Sequence, residues 1–114
     1  MVLSKGSGRG DRLPKETHTL HLVLREGFQH HRVVITMNDR KIYQAADVTT
    51  DAVAVRADAR EVILRSRNAH LVVSVTPGNL AAAFDVDVVA RPYVAISLIG
   101  EGTVAFETSA APFR

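Results

Sequence analysis

From Thr17 onward, apolar and polar residues alternate with a period of two, and Val, Ile, Leu and Thr fill the runs while Pro and Gly fall between them. That pattern predicts half-buried strands. Over 17–25, His18, Leu20, Leu22 and Leu24 share one face, and Thr19, His21, Val23 and Arg25 share the other. After a break at Glu26-Gly27 the alternation resumes over 32–37, with Val33, Ile35 and Met37 opposite Arg32, Val34 and Thr36. Asn38-Asp39 predicts a turn, since both side chains tolerate left-handed backbone, and 41–43 then returns as a hairpin. Further runs at 51–56, 61–67, 70–76, 80–88, 93–99 and 103–108 read as strands. Pro77-Gly78-Asn79, Arg91-Pro92 and Gly100-Glu101-Gly102 separate the later ones.

The alanines within 79–84 have high helix propensity, but they lead into Phe84-Asp85-Val86-Asp87-Val88, which alternates strictly, so the segment reads as strand. With no helix to make crossovers, the chain is expected to be all-β. The architecture expected is a mainly antiparallel β-sandwich, or a closed barrel, of about eight to nine short strands. Its core would be Leu20, Leu22, Val33, Ile35, Val53, Val55, Leu71, Val73, Phe84, Val86, Ile96 and Leu98.

The positions facing away from that core are unusually apolar and small. Val23, Val34, Ala54, Val72, Ala83 and Ala95 are the candidate interface residues among them. A solvated outer face is expected to be polar, so a semi-apolar one predicts that something covers it. A second copy of the chain or a protein partner is the expected cover. A loop of the chain itself is the plainer alternative.

A chain of 114 residues, 46% hydrophobic and 23% charged, suits a single globular domain over 17–114. Residues 1–16, rich in Gly, Ser, Lys and Arg, read as a flexible basic arm, either a non-native leader or a tail that touches an anionic surface. That stretch has no apolar run resembling a signal-peptide core, which makes the cytoplasm the default compartment. No run approaches the roughly 20 apolar residues of a spanning helix, so no membrane span is expected. The absence of Cys excludes disulfides, thiolate metal sites and a thiol nucleophile. The net charge of +2 is a weak field for nucleic acid, and the shortage of aromatic stacking platforms (no Trp, two Tyr, four Phe) makes nucleic-acid binding unexpected.

No residue set assembles a catalytic site, so no enzyme and no cofactor are expected. His18 and His21 lie an odd number of strand positions apart and point to opposite faces, and His30-His31 fall in a connection, so no metal site is predicted. Asp85 and Asp87 share a strand face, a spacing of about 7 Å that would suit a small hydrolase, though solvated carboxylates are the ordinary product of strand patterning. Ser97 lacks a nucleophile elbow and a nearby His. Arg56, Arg60, Arg65 and Arg67 concentrate positive charge. Guanidinium forks bind carboxylate, sulfate or phosphate, so Arg56, Arg65, Arg67 and Tyr93 are the candidate site for a carbohydrate or anionic ligand.

The strings Leu24-Arg25-Glu26-Gly27-Phe28, Val48-Thr49-Thr50-Asp51, Pro92-Tyr93-Val94-Ala95-Ile96-Ser97-Leu98 and Ala111-Pro112-Phe113 resemble those of small uncharacterised bacterial all-β proteins. The resemblance runs from Thr17 to Phe113 and implies a self-contained β domain with no particular activity. Gln29-His30-His31 stands where such chains tend to have a short acidic or glycine turn. The expected function is a non-catalytic binding or structural module that self-associates or docks a protein through its semi-apolar face, with the Arg/Tyr ligand surface as the alternative.

Overall fold

The computed structural model describes residues 17–100 and 102–113. The basic arm expected over 1–16 lies outside the described residues. Among those residues are eight strands and no helix: β1 (His18–Leu24), β2 (His31–Met37), β3 (Arg40–Val48), β4 (Asp58–Leu64), β5 (Asn68–Thr76), β6 (Leu80–Asp87), β7 (Tyr93–Ile99) and β8 (Thr103–Ser109). They form two four-stranded sheets, sheet A in the order β4-β1-β7-β8 and sheet B in the order β3-β2-β5-β6, and neither closes into a barrel. Pairing is antiparallel throughout except for β1 and β7, which run parallel with His21 opposite Tyr93 and Val23 opposite Ala95. No helix among the described residues is long and apolar enough to cross a membrane.

The local chemistry accounts for the connections. Asn38 and Asp39 both have positive φ (51° and 68°), as a tight hairpin turn between β2 and β3 requires. Asn38 also locks that turn to β5: its N–H donates to the His70 carbonyl at 2.9 Å, and its Oδ1 accepts from the His70 N–H at 2.8 Å. Gly27, at φ +89°, lies so close to β7 that an added Cβ would sit 2.0 Å from the Leu98 carbonyl oxygen. Only glycine allows this approach, and the Leu98 N–H then reaches the Glu26 carbonyl at 2.8 Å.

The buried faces of both sheets contribute to one hydrophobic cluster, including Leu20, Leu22 and Leu24 of β1, Val33 and Ile35 of β2, Leu71, Val73 and Val75 of β5, and Val94 and Ile96 of β7. Phe28 enters the cluster from the β1–β2 connection, 1% exposed. Thr50 fastens it there. The Thr50 N–H donates to the Phe28 carbonyl at 2.8 Å, and the Thr50 hydroxyl accepts from the Phe28 N–H at 3.0 Å while donating to the Arg25 carbonyl at 2.6 Å. Near β4, the buried Tyr43 donates its hydroxyl to Asp58 Oδ2 at 2.7 Å and has the Arg60 guanidinium 5.3 Å from its ring centroid. Burial, and then the Asp58 carboxylate, push this phenol well above its ordinary pKa. On the far side, Phe84 of β6 stacks on Phe106 of β8 at 3.8 Å.

Two expectations need correction. Residues 51–56 do not form a strand: Asp51 Oδ1 accepts from the N–H groups of Val53 (2.8 Å) and Ala54 (2.9 Å), and its carbonyl accepts from Val55, closing a turn with one isolated bridge to Arg56. Val53 is 94% exposed and Val55 lies at the edge of the turn with φ 54°, so neither belongs to the core. The strand read at 61–67 lies instead at Asp58–Leu64. Ser66 ends it, its hydroxyl bonded to both the carbonyl and the N–H of Asn68 in a turn. The remaining core residues stand as expected, Leu98 being partly buried against the cluster.

Candidate ligand groove

The register of sheet A builds a groove on its outer face. One row across β4, β1 and β7 is Glu61, His21 and Tyr93. His21 Nδ1 lies 3.1 Å from Glu61 Oε2, and the imidazole stacks on the Tyr93 ring with centroids 4.4 Å apart and planes 14° from parallel. The next row is Ala59, Val23 and Ala95, and the first two form a low apolar floor while Ala95 is buried, 3% exposed. Beyond that row is Arg25, whose guanidinium is 5.8 Å from the Phe113 ring centroid near the described C-terminal end. The 51–56 turn overhangs one side with Ala54, Val55 and Arg56, and Arg60 of β4 flanks it.

The groove these residues line has a volume of about 590 Å³, within the range of small-molecule pockets. Its charged lining consists of Arg25, Arg56 and Arg60 against the single carboxylate Glu61, which already has His21 beside it. The groove therefore combines a cationic side suited to oxyanions, an apolar floor, and a polar wall of carboxylate, imidazole and phenol. The turn that carries Arg56 is fixed by Asp51, whose carboxyl is held below the usual range by the N–H groups of Ala54 and Val53.

Of the four residues read as a ligand surface, the structure brings Arg56 and Tyr93 into this groove and leaves two elsewhere. Arg65 lines a separate depression of about 620 Å³ with Met37, Asn38 and Arg40. Arg67 reaches back to Asp87, with Nη2 and Nε at 3.2 and 3.3 Å from Oδ2. The shift of β4 by three residues is the reason, because it places Arg65 and Arg67 past the strand end instead of on its face. The six interface candidates also divide. Val23 lies on the outer face of sheet A and Ala54 in the turn beside it, Ala95 shares the row of Val23 but is buried and so offers no interface surface, and Val34, Val72 and Ala83 lie on the outer face of sheet B.

The other candidates are engaged locally. Asp85 meets His70 Nδ1 at 2.8 Å, and Asp87 accepts from the N–H groups of Val89 and Ala90, which, the Ala90 bond first, lower its pKa together with Arg67. A carboxylate tied up in this way is poorly suited to act as an acid. His30 pairs with Asp47, and His31 Nδ1 accepts from the Gln29 N–H at 2.8 Å. Ser97 Oγ lies 3.4 Å from the Glu26 nitrogen. No group of three or more His, Asp or Glu side chains among the described residues could hold a metal ion.

Sequence reasoning did not single out His21, Glu61, Arg25 and Phe113 as a group. Alternation already placed His21, Val23 and Arg25 on one face, but nothing in a period-two pattern tells which strand lies alongside, and the parallel β1–β7 pair is what adds Tyr93. No protein-family model, curated protein or solved structure matches this chain.

Proposed function

We propose that this chain is a non-catalytic binding module, a β-sandwich in which sheets A and B pack face to face, and that its ligand is anionic and occupies the groove on the outer face of sheet A. The observation that carries the reading is the charge of the groove: Arg25 and Arg56 line it, with Arg60 at its β4 edge turned toward Tyr43, and Glu61 is the one carboxylate among the lining residues. Arg25 is placed over the Phe113 ring, which limits its guanidinium's freedom before any ligand arrives. Titration of the isotopically labelled protein with sodium sulfate tests it. Shifts should concentrate at Arg25, Arg56 and Tyr93, and Arg56→Gln should weaken the interaction about tenfold or more, the loss expected for one charge-assisted hydrogen bond. Shifts scattered over the surface, or unaffected by Arg56→Gln, would remove the groove from the reading.

Self-association is the second reading, and a different surface favours it. The outer face of sheet B carries Val34, Val72, Ser74, Ala81 and Ala83, flat and weakly polar, with Arg32 and Lys41 toward β3 and Asp85 and Asp87 on β6. Light scattering at low and high salt decides between a multiple of 12.4 kDa and a monomer. Val72→Glu is expected to return any dimer to monomer, because it buries an unpaired charge at the centre of the contact.

A further inference from the structure

We infer that the groove on the outer face of sheet A takes an acidic sugar, a pyranose carrying a carboxylate or a sulfate, an assignment that rests on the anion-binding reading and names its ligand class. The groove has three chemically different parts, and a bare oxyanion would use only one of them. Arg25 and Arg56 supply forked donors to an acidic group. Val23 and Ala59 form a floor low enough for a flat ring to approach the sheet, and Phe113 and Tyr93 border it with aromatic surface. Glu61 forms part of the opposite wall, its side chain 71% exposed beside His21.

Glu61 decides between ligand classes. A carboxylate in an anion site repels sulfate, phosphate and above all a polyphosphate, whereas it is an acceptor for sugar hydroxyls. His21 already covers one face of the Tyr93 ring, so a ligand ring can stack only on the other. A nucleobase, apolar on both faces, gains most from being sandwiched between rings. A pyranose has a rim of hydroxyls and needs one apolar surface plus polar partners at its edge, which this groove supplies. Arginines for the acidic group, small residues beneath the ring and an acceptor at the far wall occur in the order in which an acidic sugar presents the matching groups.

Calorimetry on the full chain with trigalacturonate, a heparin-derived disaccharide and sodium sulfate tests the assignment. At least one of the two sugars should bind about tenfold or more tighter than sulfate, and Arg56→Gln should remove about tenfold or more of that affinity. Glu61→Ala gives opposite signs for the two ligand classes: it should weaken the sugar and strengthen sulfate. The preferred sugar distinguishes a carboxylate from a sulfate as the acidic group. Both substitutions are at exposed positions, and unchanged thermal midpoints would show that the fold is intact. If the sugars bind no tighter than sulfate, or Glu61→Ala strengthens all three ligands, the sugar assignment falls while the anion groove survives. If no probe shows Arg56-dependent binding, both fall.

Discussion

Gly27→Ala would put a methyl group where the structure has no space for one. The new Cβ would lie 2.0 Å from the Leu98 carbonyl oxygen and 2.8 Å from both its carbonyl carbon and Cβ, at a φ of +89°. Two costs combine. Left-handed backbone costs a residue with a side chain about 1–2 kcal/mol, and forcing an overpacked contact to relax costs about 1–3 kcal/mol more. The second cost cannot be relieved by a rotamer change, because the obstacle is β7 backbone. A total of about 2–5 kcal/mol is expected, less a few tenths for the stiffer unfolded chain. Gly100→Ala provides the control. Its φ is +59° and nothing lies within 4 Å of the added Cβ, so only the conformational cost applies. Urea unfolding of the two variants, compared at equal m-value, isolates the steric part as the difference between them. If the two differ by less than about 0.5 kcal/mol, the close approach of the Glu26-Gly27 corner to β7 is not what the glycine serves, and the argument is refuted.

Three further outcomes follow from the packing and the titrating groups. Phe28→Ala should cost about 3–5 kcal/mol in the same unfolding assay, since it empties a fully buried ring site held by Thr50; a loss below 1.5 kcal/mol, on the order of a surface change, would contradict it. The Tyr43 phenol, raised in the folded state above its ordinary 10.0, contributes stability that is whole below that pH and declines as pH rises further. Tyr43→Phe should therefore flatten the alkaline limb of the stability–pH curve, and coincident limbs for the two proteins would count against the burial of this phenol and, with it, the Asp58 hydrogen bond. Asp51 titrates below its ordinary 3.8, so the turn it caps is intact above that pH and loosens as pH falls through the lower folded value. Backbone amide shifts of Val53 and Ala54 should report that midpoint, and Asp51→Ala should erase it.

Much of the fold is legible in the alternation. The buried phases of β1, β2, β5, β6 and β7 follow from it, and so does the β2–β3 hairpin from Asn38-Asp39, because each depends only on neighbouring residues. The 51–56 turn is where the pattern misleads. Ala52, Val53, Ala54 and Val55 have the composition of a strand, but Asp51 offers the backbone N–H groups a closer acceptor than any neighbouring strand, and the chain folds back on itself. The groove is legible only as fragments. Arg56 and Tyr93 stand out by residue type, while their union with His21, Glu61 and Arg25 depends on strand order, which involves residues far apart in sequence. The candidate interface is divided for the same reason, since alternation separates inside from outside but does not separate the outside of one sheet from that of the other.

The parallel pairing of β1 with β7 also has a consequence for synthesis. The first strand and its long-range neighbour are separated by about 70 residues, so at translation rates of about 5–20 residues per second β1 waits roughly 4–14 s for β7 to be made. During that interval β1 can pair only with β4, and its other edge, the backbone of His21 to Leu24, has no ladder partner. The nascent chain thus carries an open, leucine-rich strand edge while the residues between β1 and β7 are made, the kind of segment that chaperones bind and that drives premature association. Since Tyr93 and Phe113 both line the groove, it cannot exist before these two residues have been made.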